Sequence, residues 1–119
     1  MADRSLAEII SSIKKDSYDS VILVEGKRDK EALKKAGISD YAIIEVSYKN
    51  QNQIYSELMQ YNRKKVIALY DNDKTGENKV SKLKNFLYGM GIKLLDYRRS
   101  LDKIGITYIE EIDNRLGLE

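Results

Sequence analysis

Carboxylate side chains that follow short apolar runs are the residues of this chain best suited to chemistry. Glu25 directly follows the apolar run at residues 20–24. Asp71 and Asp73 follow a second run at residues 66–70. Short runs rich in β-branched residues are typical of buried strands in a parallel sheet, and open α/β folds keep their sites at the carboxyl edge of such strands. Acids gathered at that edge repel one another unless a cation lies between them.

The spacing of Asp71 and Asp73 suits one hard cation. Residues two apart in an extended backbone point the same way, so both carboxylates can reach the same ion. Mg²⁺ prefers oxygen ligands and keeps several waters, which leaves positions for phosphate oxygens, and Mn²⁺ could substitute for it. The alternative is a simple strand-to-helix turn, because Asp and Asn are common turn formers.

The composition makes carboxylates nearly the only candidates for acid–base chemistry. The 119 residues include no His and no Cys, which excludes imidazole and thiolate metal ligands, disulfides and a Ser-His-Asp triad. The net charge of +2 is too small to indicate a nucleic-acid partner, so local clusters of basic residues matter more. We expect a cytoplasmic protein without a membrane segment, because there is neither a long apolar run nor a signal-peptide pattern.

Basic residues follow both acidic motifs and are candidates for contact with a phosphodiester backbone. The candidates are Lys27, Arg28, Lys74, Lys79 and Lys82. Lys27 and Arg28 oppose the helix dipole at the expected start of a helix, which favours a phosphate ligand there. Gly26 beside them suits a tight turn or the close approach of a ligand to the backbone. A solvated polar face is the alternative for each lysine.

Strand-like and helix-like segments alternate along the chain. The predicted strands cover residues 20–24, 42–46, 66–70 and 92–95. The predicted helices cover residues 5–15, 28–36, 77–88 and 108–116, with another helix opening at residue 50. Possible capping boxes are Ser5 with Glu8, Asn50 with Gln53, and Thr107 with Glu110. The stretch 96–106 shows no clear pattern. This order predicts a three-layer α/β sandwich with about four parallel strands, formed as one domain over residues 1–119.

Taken together, the two acidic motifs resemble the Toprim domain. The sequence runs strand-Glu-Gly-Lys-x-Asp, and then strand-Asp-x-Asp-x-x-Gly-Glu. It is similar to small stand-alone Toprim proteins and to the Toprim domains of ribonuclease M5, bacterial-type primases and OLD-type nucleases. The resemblance spans about residues 20–95 and implies a Toprim-like, Rossmann-like fold. The helices at 5–15 and 108–116 would then be additions to this core.

The resemblance also implies roles for individual residues. Glu25 matches the family glutamate, a general acid or base, and we expect it to contribute to the metal site as well. Asp71 and Asp73 match the magnesium-binding pair. The supporting residues that match are Gly26, Asp29 and Gly76. Thr75 stands where type IA topoisomerases have a further acid, which weakens a topoisomerase interpretation.

The resemblance predicts a magnesium-dependent phosphodiester enzyme module acting on DNA or RNA. A nuclease-like role in DNA repair, replication or RNA processing fits the small size better than a primase. One alternative is a non-catalytic nucleic-acid-binding or adaptor module of RecR type. Another is a receiver-like or phosphatase-like domain in which Asp71 accepts a phosphoryl group. A homodimer or a larger nucleic-acid-processing complex could complete the site.

Overall fold

The computed structural model describes residues 5–117, which form one four-stranded sheet with helices on both faces. The strands are β1 (Ser20–Val24), β2 (Ile43–Glu45), β3 (Lys65–Leu69) and β4 (Lys93–Leu95). The helices are α1 (Leu6–Asp16), α2 (Lys27–Lys35), α3 (Gln51–Tyr61), α4 (Lys74–Tyr88), α5 (Arg98–Lys103) and α6 (Ile112–Arg115). No helix in this part of the chain has the length and apolar character needed to cross a membrane.

All neighbouring strands are parallel, in the order β2-β1-β3-β4. The prediction of an α/β sandwich with about four parallel strands is confirmed. β1 and β3 are central and pair over their full lengths, from Ser20 opposite Lys65 to Val24 opposite Leu69. The residues that follow these two strands therefore emerge side by side at the carboxyl edge of the sheet.

Two apolar cores sandwich the sheet. Successive strand residues point to opposite faces, so Ile22 and Val24 pack in one core with α1, α2, α5 and α6. Val21 and Leu23 pack in the other core, which includes Leu58 of α3 and the apolar side of α4. Because β1 is buried on both faces, its sequence is continuously apolar rather than alternating.

The boundaries of the helices depend on their caps. The box at Asn50 is confirmed: Asn50 Oδ1 accepts the Gln53 N–H at 2.9 Å, and the Gln53 side chain accepts the Asn50 N–H at 2.8 Å. Ser5 is the N-cap of α1, and its Oγ accepts the Glu8 N–H at 3.2 Å. Helix α4 begins three residues earlier than predicted. The side chain of Asp73 is its N-cap, so the helix starts at Lys74 rather than at residue 77.

The C-terminal stretch differs most from the prediction. The stretch 96–106 has no clear pattern in the sequence, but it contains helix α5, whose Leu101 is completely buried. The expected capping box of Thr107 with Glu110 is wrong. Instead, the Glu111 carboxylate accepts the Tyr108 N–H at 3.3 Å. A 3₁₀ turn (Ile109–Glu111) and the short helix α6 replace the single helix expected over residues 108–116.

We predict that Leu101→Ala destabilises the fold by ~2–5 kcal/mol, because it removes a fully buried side chain from a close-packed core. The exposed Met59 is a control, and Met59→Ala should change the unfolding free energy by less than about 0.5 kcal/mol. Urea denaturation of both variants measures this. Equal stabilities for Leu101→Ala and the wild type would contradict the packing described for α5.

Candidate functional site

The carboxyl ends of β1 and β3 place the two acidic motifs in contact. Val24 and Leu69 are paired at the end of the ladder, and Glu25 and Asp71 lie just beyond them. The backbone N–H of Asp71 donates to Glu25 Oε1 at 3.0 Å. The other oxygen, Glu25 Oε2, accepts from the Lys79 ammonium of α4 at 3.0 Å. Glu25 therefore links the two loops, with both of its oxygens engaged.

Backbone amides also hold Asp29, Asp71 and Asp73. Each carboxylate accepts one N–H: Asp29 from Gly26 at 3.2 Å, Asp71 from Ile109 at 2.9 Å, and Asp73 from Gly76 at 2.7 Å. Asp29 and Asp73 receive their bonds at the N-termini of α2 and α4, where helix amides lack partners. Ile109 comes from the C-terminal stretch, so that stretch contributes directly to the site.

Burial and mutual repulsion raise the pKa values of two of these acids. Loss of solvation raises the pKa of Asp29 to about 6, with Asp71 adding repulsion and the Gly26 N–H opposing the shift. Loss of solvation likewise raises the pKa of Asp71, and nearby Glu25 adds to this. Asp29 is only 7% exposed, so its charge is poorly solvated. The carboxylates thus form one electrostatically coupled group.

Glu110 is an acid of this group that sequence reasoning missed. Its charge raises the pKa of both Asp29 and Asp71, which places it near the two motifs. The sequence assigned Glu110 to a capping box, but the structure gives that role to Glu111. No local pattern identifies Glu110, because the 3₁₀ turn that carries it is placed by tertiary contacts: Ile109 is buried in the core and its N–H donates to Asp71.

Arg98 and Asn72 fix the loop that carries Asp71 and Asp73. The Arg98 guanidinium donates to the carbonyl oxygens of Tyr70 at 3.3 Å and Asp71 at 3.0 Å. The Asn72 amide donates to the carbonyl oxygens of Arg98 and Ile106, both at 3.1 Å. Arg98 lies in the stretch 96–106, and its contacts hold this loop in place.

The two glycines of the motifs have different surroundings. A Cβ on Gly76 would overlap the carbonyl oxygen of Asp71 and lie 3.2 Å from Asp73 Oδ1. Gly76 is therefore needed for a close approach of backbone to backbone. Gly26 has extended backbone angles, and nothing lies within 4 Å of a Cβ placed on it. It forms no tight turn, and its open side leaves room for a ligand near the backbone.

The predicted phosphate-binding residues lie around this edge. Lys79 is bound to Glu25, as described above. The other four are exposed and form no ion pair within the described part of the chain: Lys27, Arg28, Lys74 and Lys82.

The donor set of Asp71 and Asp73 suits a hard divalent cation. Within residues 5–117 no three Asp or Glu side chains form a ready metal-binding group, and both oxygens of Glu25 are engaged. Asp71 and Asp73 each keep one oxygen without a hydrogen bond in this part of the chain. Mg²⁺ commonly uses one or two carboxylates and fills its other positions with water or phosphate. A cation there would also reduce the repulsion that Asp71 experiences.

Comparison with known proteins identifies the family. A model of the Toprim domain matches residues 19–96, which include both acidic motifs. The chain belongs to the Toprim family. This Toprim domain is therefore a metal-binding, nucleic-acid-related module. The resemblance stated from the two motifs is confirmed.

Related small proteins share most of this chain. A UPF0292 protein of Pyrococcus abyssi is 35% identical over 102 residues, covering 85% of this chain and 75% of that protein. A UPF0292 protein of Thermococcus sibiricus is 32% identical over 116 residues, covering 97% and 88%. A solved structure of a protein from Aquifex aeolicus has 39% identity and a TM-score of 0.82, covering 91% of this chain and 98% of that one. The similarity therefore extends beyond the Toprim match.

We predict opposite outcomes for alanine at the two motif glycines. Gly76→Ala should destabilise the protein by ~1–3 kcal/mol, because the new methyl group overlaps the Asp71 carbonyl. Gly26→Ala should change stability by less than about 1 kcal/mol, since the site is open and its backbone angles suit alanine. Thermal or urea unfolding measures both. Equal effects would contradict the loop geometry.

We predict that Asp29 makes the protein less stable as the pH rises. Its folded-state pKa of about 6 exceeds the ordinary 3.8, so folding favours the protonated acid and ionisation weakens the fold. Asp29→Asn keeps an oxygen for the Gly26 N–H but removes the charge. At pH 8 this variant should be more stable than the wild type by ~2–3 kcal/mol.

The advantage of Asp29→Asn should shrink as the pH falls through about 6 and should disappear near the ordinary pKa of 3.8. Urea unfolding free energies at pH 4, 6 and 8 measure the difference between the two proteins. A difference that is constant over this range would contradict a raised pKa for Asp29.

Proposed function

We propose that this Toprim protein is a nuclease-like phosphodiester enzyme module that acts on DNA or RNA with Mg²⁺, or with Mn²⁺ in its place. The observation that carries the proposal is the bond between Glu25 and the Asp71 backbone. It joins the family's proton-transfer residue to the proposed metal-binding loop. The whole chain would work as a single Toprim domain, with α1 and the C-terminal stretch as additions, in DNA repair, replication or RNA processing.

In this proposal Asp71 and Asp73 hold the metal ion through the oxygens that remain free. A bound Mg²⁺ supplies Lewis-acid polarisation of a phosphoryl oxygen. The short bonds to Ile109 and Gly76 fix the orientation of both carboxylates, so little reorganisation accompanies binding. Gly76 supports this arrangement, because only glycine lets the α4 backbone come so close to Asp71.

Glu25 is proposed to transfer the proton, either from an attacking water or to the leaving oxygen. Its carboxylate is paired with the Lys79 ammonium. A phosphate that approaches Lys79 would compete for the ammonium and free Glu25 Oε2 for the proton. The exposed side chains of Lys27, Arg28, Lys74 and Lys82 are proposed to bind neighbouring phosphates of the strand.

A non-catalytic adaptor of RecR type is the second candidate. The observation that favours it is the engagement of both Glu25 oxygens, which suits a structural link between two loops. In this case the chain would bind nucleic acid and would not cleave it. Binding that weakens steeply with salt, without turnover in Mg²⁺ or Mn²⁺, would support the adaptor over the enzyme.

We predict that Glu25→Gln lowers metal-dependent cleavage of labelled DNA or RNA by ~10²–10⁴-fold, because the amide cannot transfer the proton. Glu31→Gln, at an exposed position of α2, is the matched control and should retain full activity. Removal of divalent metal with EDTA should abolish cleavage. The enzyme proposal fails if wild type and Glu25→Gln cleave single-stranded, double-stranded and structured substrates at the same rates.

A further inference from the structure

Tyr48 is an aromatic side chain in a position that packing does not explain. It is fully exposed, and its backbone φ of 64° lies in the left-handed region that L residues rarely adopt. It sits in a turn closed by the Lys49 N–H, which donates to the Val46 carbonyl at 3.1 Å. Glycine or asparagine would fit this backbone more easily. An exposed tyrosine in a strained turn does not stabilise the fold, which indicates a role in binding a ligand.

The turn that carries Tyr48 is attached to the candidate site. The Val46 N–H donates to the Val24 carbonyl at 2.9 Å, and the Ser47 N–H donates to the Glu25 carbonyl at 3.0 Å. These bonds continue the pairing of β1 and β2 as far as Glu25. Tyr48 is the next residue, so its backbone lies at the same edge of the sheet as Glu25.

An apolar groove of about 360 Å³ lies on one side of Tyr48. Its apolar lining comes from Val46, Ile54, Tyr70, Leu83 and Phe86. Lys79 and Lys82 also line this groove, and Lys79 is the partner of Glu25. The groove thus combines apolar surface with positive charge, and one of its lysines is paired with the residue proposed to transfer the proton.

A second, larger groove of about 770 Å³ lies on the other side of Tyr48. It is lined by Gly26, Lys27 and Lys30, and also by two acids, Glu45 and Glu57, of which Glu57 is paired with Lys49. Tyr48 therefore stands between two grooves that both carry lysines. A chain with regularly spaced negative charges and flat apolar groups could cross Tyr48 and contact lysines on both sides.

We propose that Tyr48 is a stacking platform for an unpaired base, and that a single strand of DNA or RNA lies across the two grooves. Bases of a single strand have free faces that stack on exposed aromatic rings, whereas bases of a duplex are covered by their neighbours. The lysines match the phosphates on both sides. This inference rests on the proposed function and adds its substrate class, an unpaired strand.

Binding of a fluorescently labelled 12-nucleotide single strand tests the inference. Tyr48→Gly should weaken binding by about 5- to 100-fold, the range for loss of one base–aromatic stack. It should also leave the midpoint of thermal unfolding unchanged or raise it, because glycine relieves the strained φ. Tyr48→Trp should keep the affinity. Tyr88→Ala is the matched control, because Tyr88 is also highly exposed but ends α4 far from Asp73.

A strand with abasic sites separates stacking from charge. Wild type and Tyr48→Gly should bind it equally weakly, since it keeps the phosphates but offers no base. A duplex of the same sequence should bind more weakly than the single strand. The inference is overturned if Tyr48→Gly binds the intact strand like wild type, if it loses equal affinity for intact and abasic strands, or if wild type binds no single strand at low salt.

The Tyr48 and Glu25 variants test the binding proposal and the catalytic proposal independently. If Tyr48→Gly weakens binding as expected but Glu25→Gln cleaves like wild type, single-strand binding at Tyr48 is supported and the catalytic role of Glu25 is contradicted. If Glu25→Gln abolishes cleavage but Tyr48→Gly binds intact strands normally, the catalytic role of Glu25 is supported and base stacking on Tyr48 is contradicted.

Discussion

Repulsion between carboxylates at the shared end of β1 and β3 is the constraint that the site must satisfy. The pairing of Val24 with Leu69 leaves no freedom to separate Glu25 from Asp71. Backbone N–H groups donate to Glu25, Asp29, Asp71 and Asp73, and among residues 5–117 only Lys79 forms an ion pair with one of these four acids. Amide dipoles orient the acids without neutralising them, so negative charge remains for a metal ion to balance.

The C-terminal stretch is part of the site although the Toprim match ends at residue 96. Its Arg98 donates to two carbonyl oxygens, those of Tyr70 and Asp71, and its Ile109 N–H orients the Asp71 carboxylate. The same stretch buries Leu101 in the core beside α1. Packing energy from this core therefore fixes the position of Asp71, which couples the stability of the fold to the geometry of the site.

Local signals in the sequence predicted most of the fold and the location of the site. The continuous apolar runs identified β1 and β3, and the caps at Ser5 and Asn50 identified two helix starts. Reasoning along the chain failed where distant residues decide the structure. Glu110 and Arg98 lie at the site because of contacts between residues that are far apart in the sequence. The spacing of residue types along the chain does not predict such contacts. The sequence pattern places the start of α4 three residues too late, because Asp73, the predicted metal ligand, is also the N-cap of this helix.

The central claim is that Asp71 and Asp73 bind one divalent cation beside Glu25. A crystal soaked in Mn²⁺ and measured for anomalous scattering tests it most directly. The account predicts one strong peak about 2.0–2.3 Å from an oxygen of each aspartate, with water completing the coordination. A well-occupied peak elsewhere on the protein, or no peak at this edge at a saturating Mn²⁺ concentration, would contradict it.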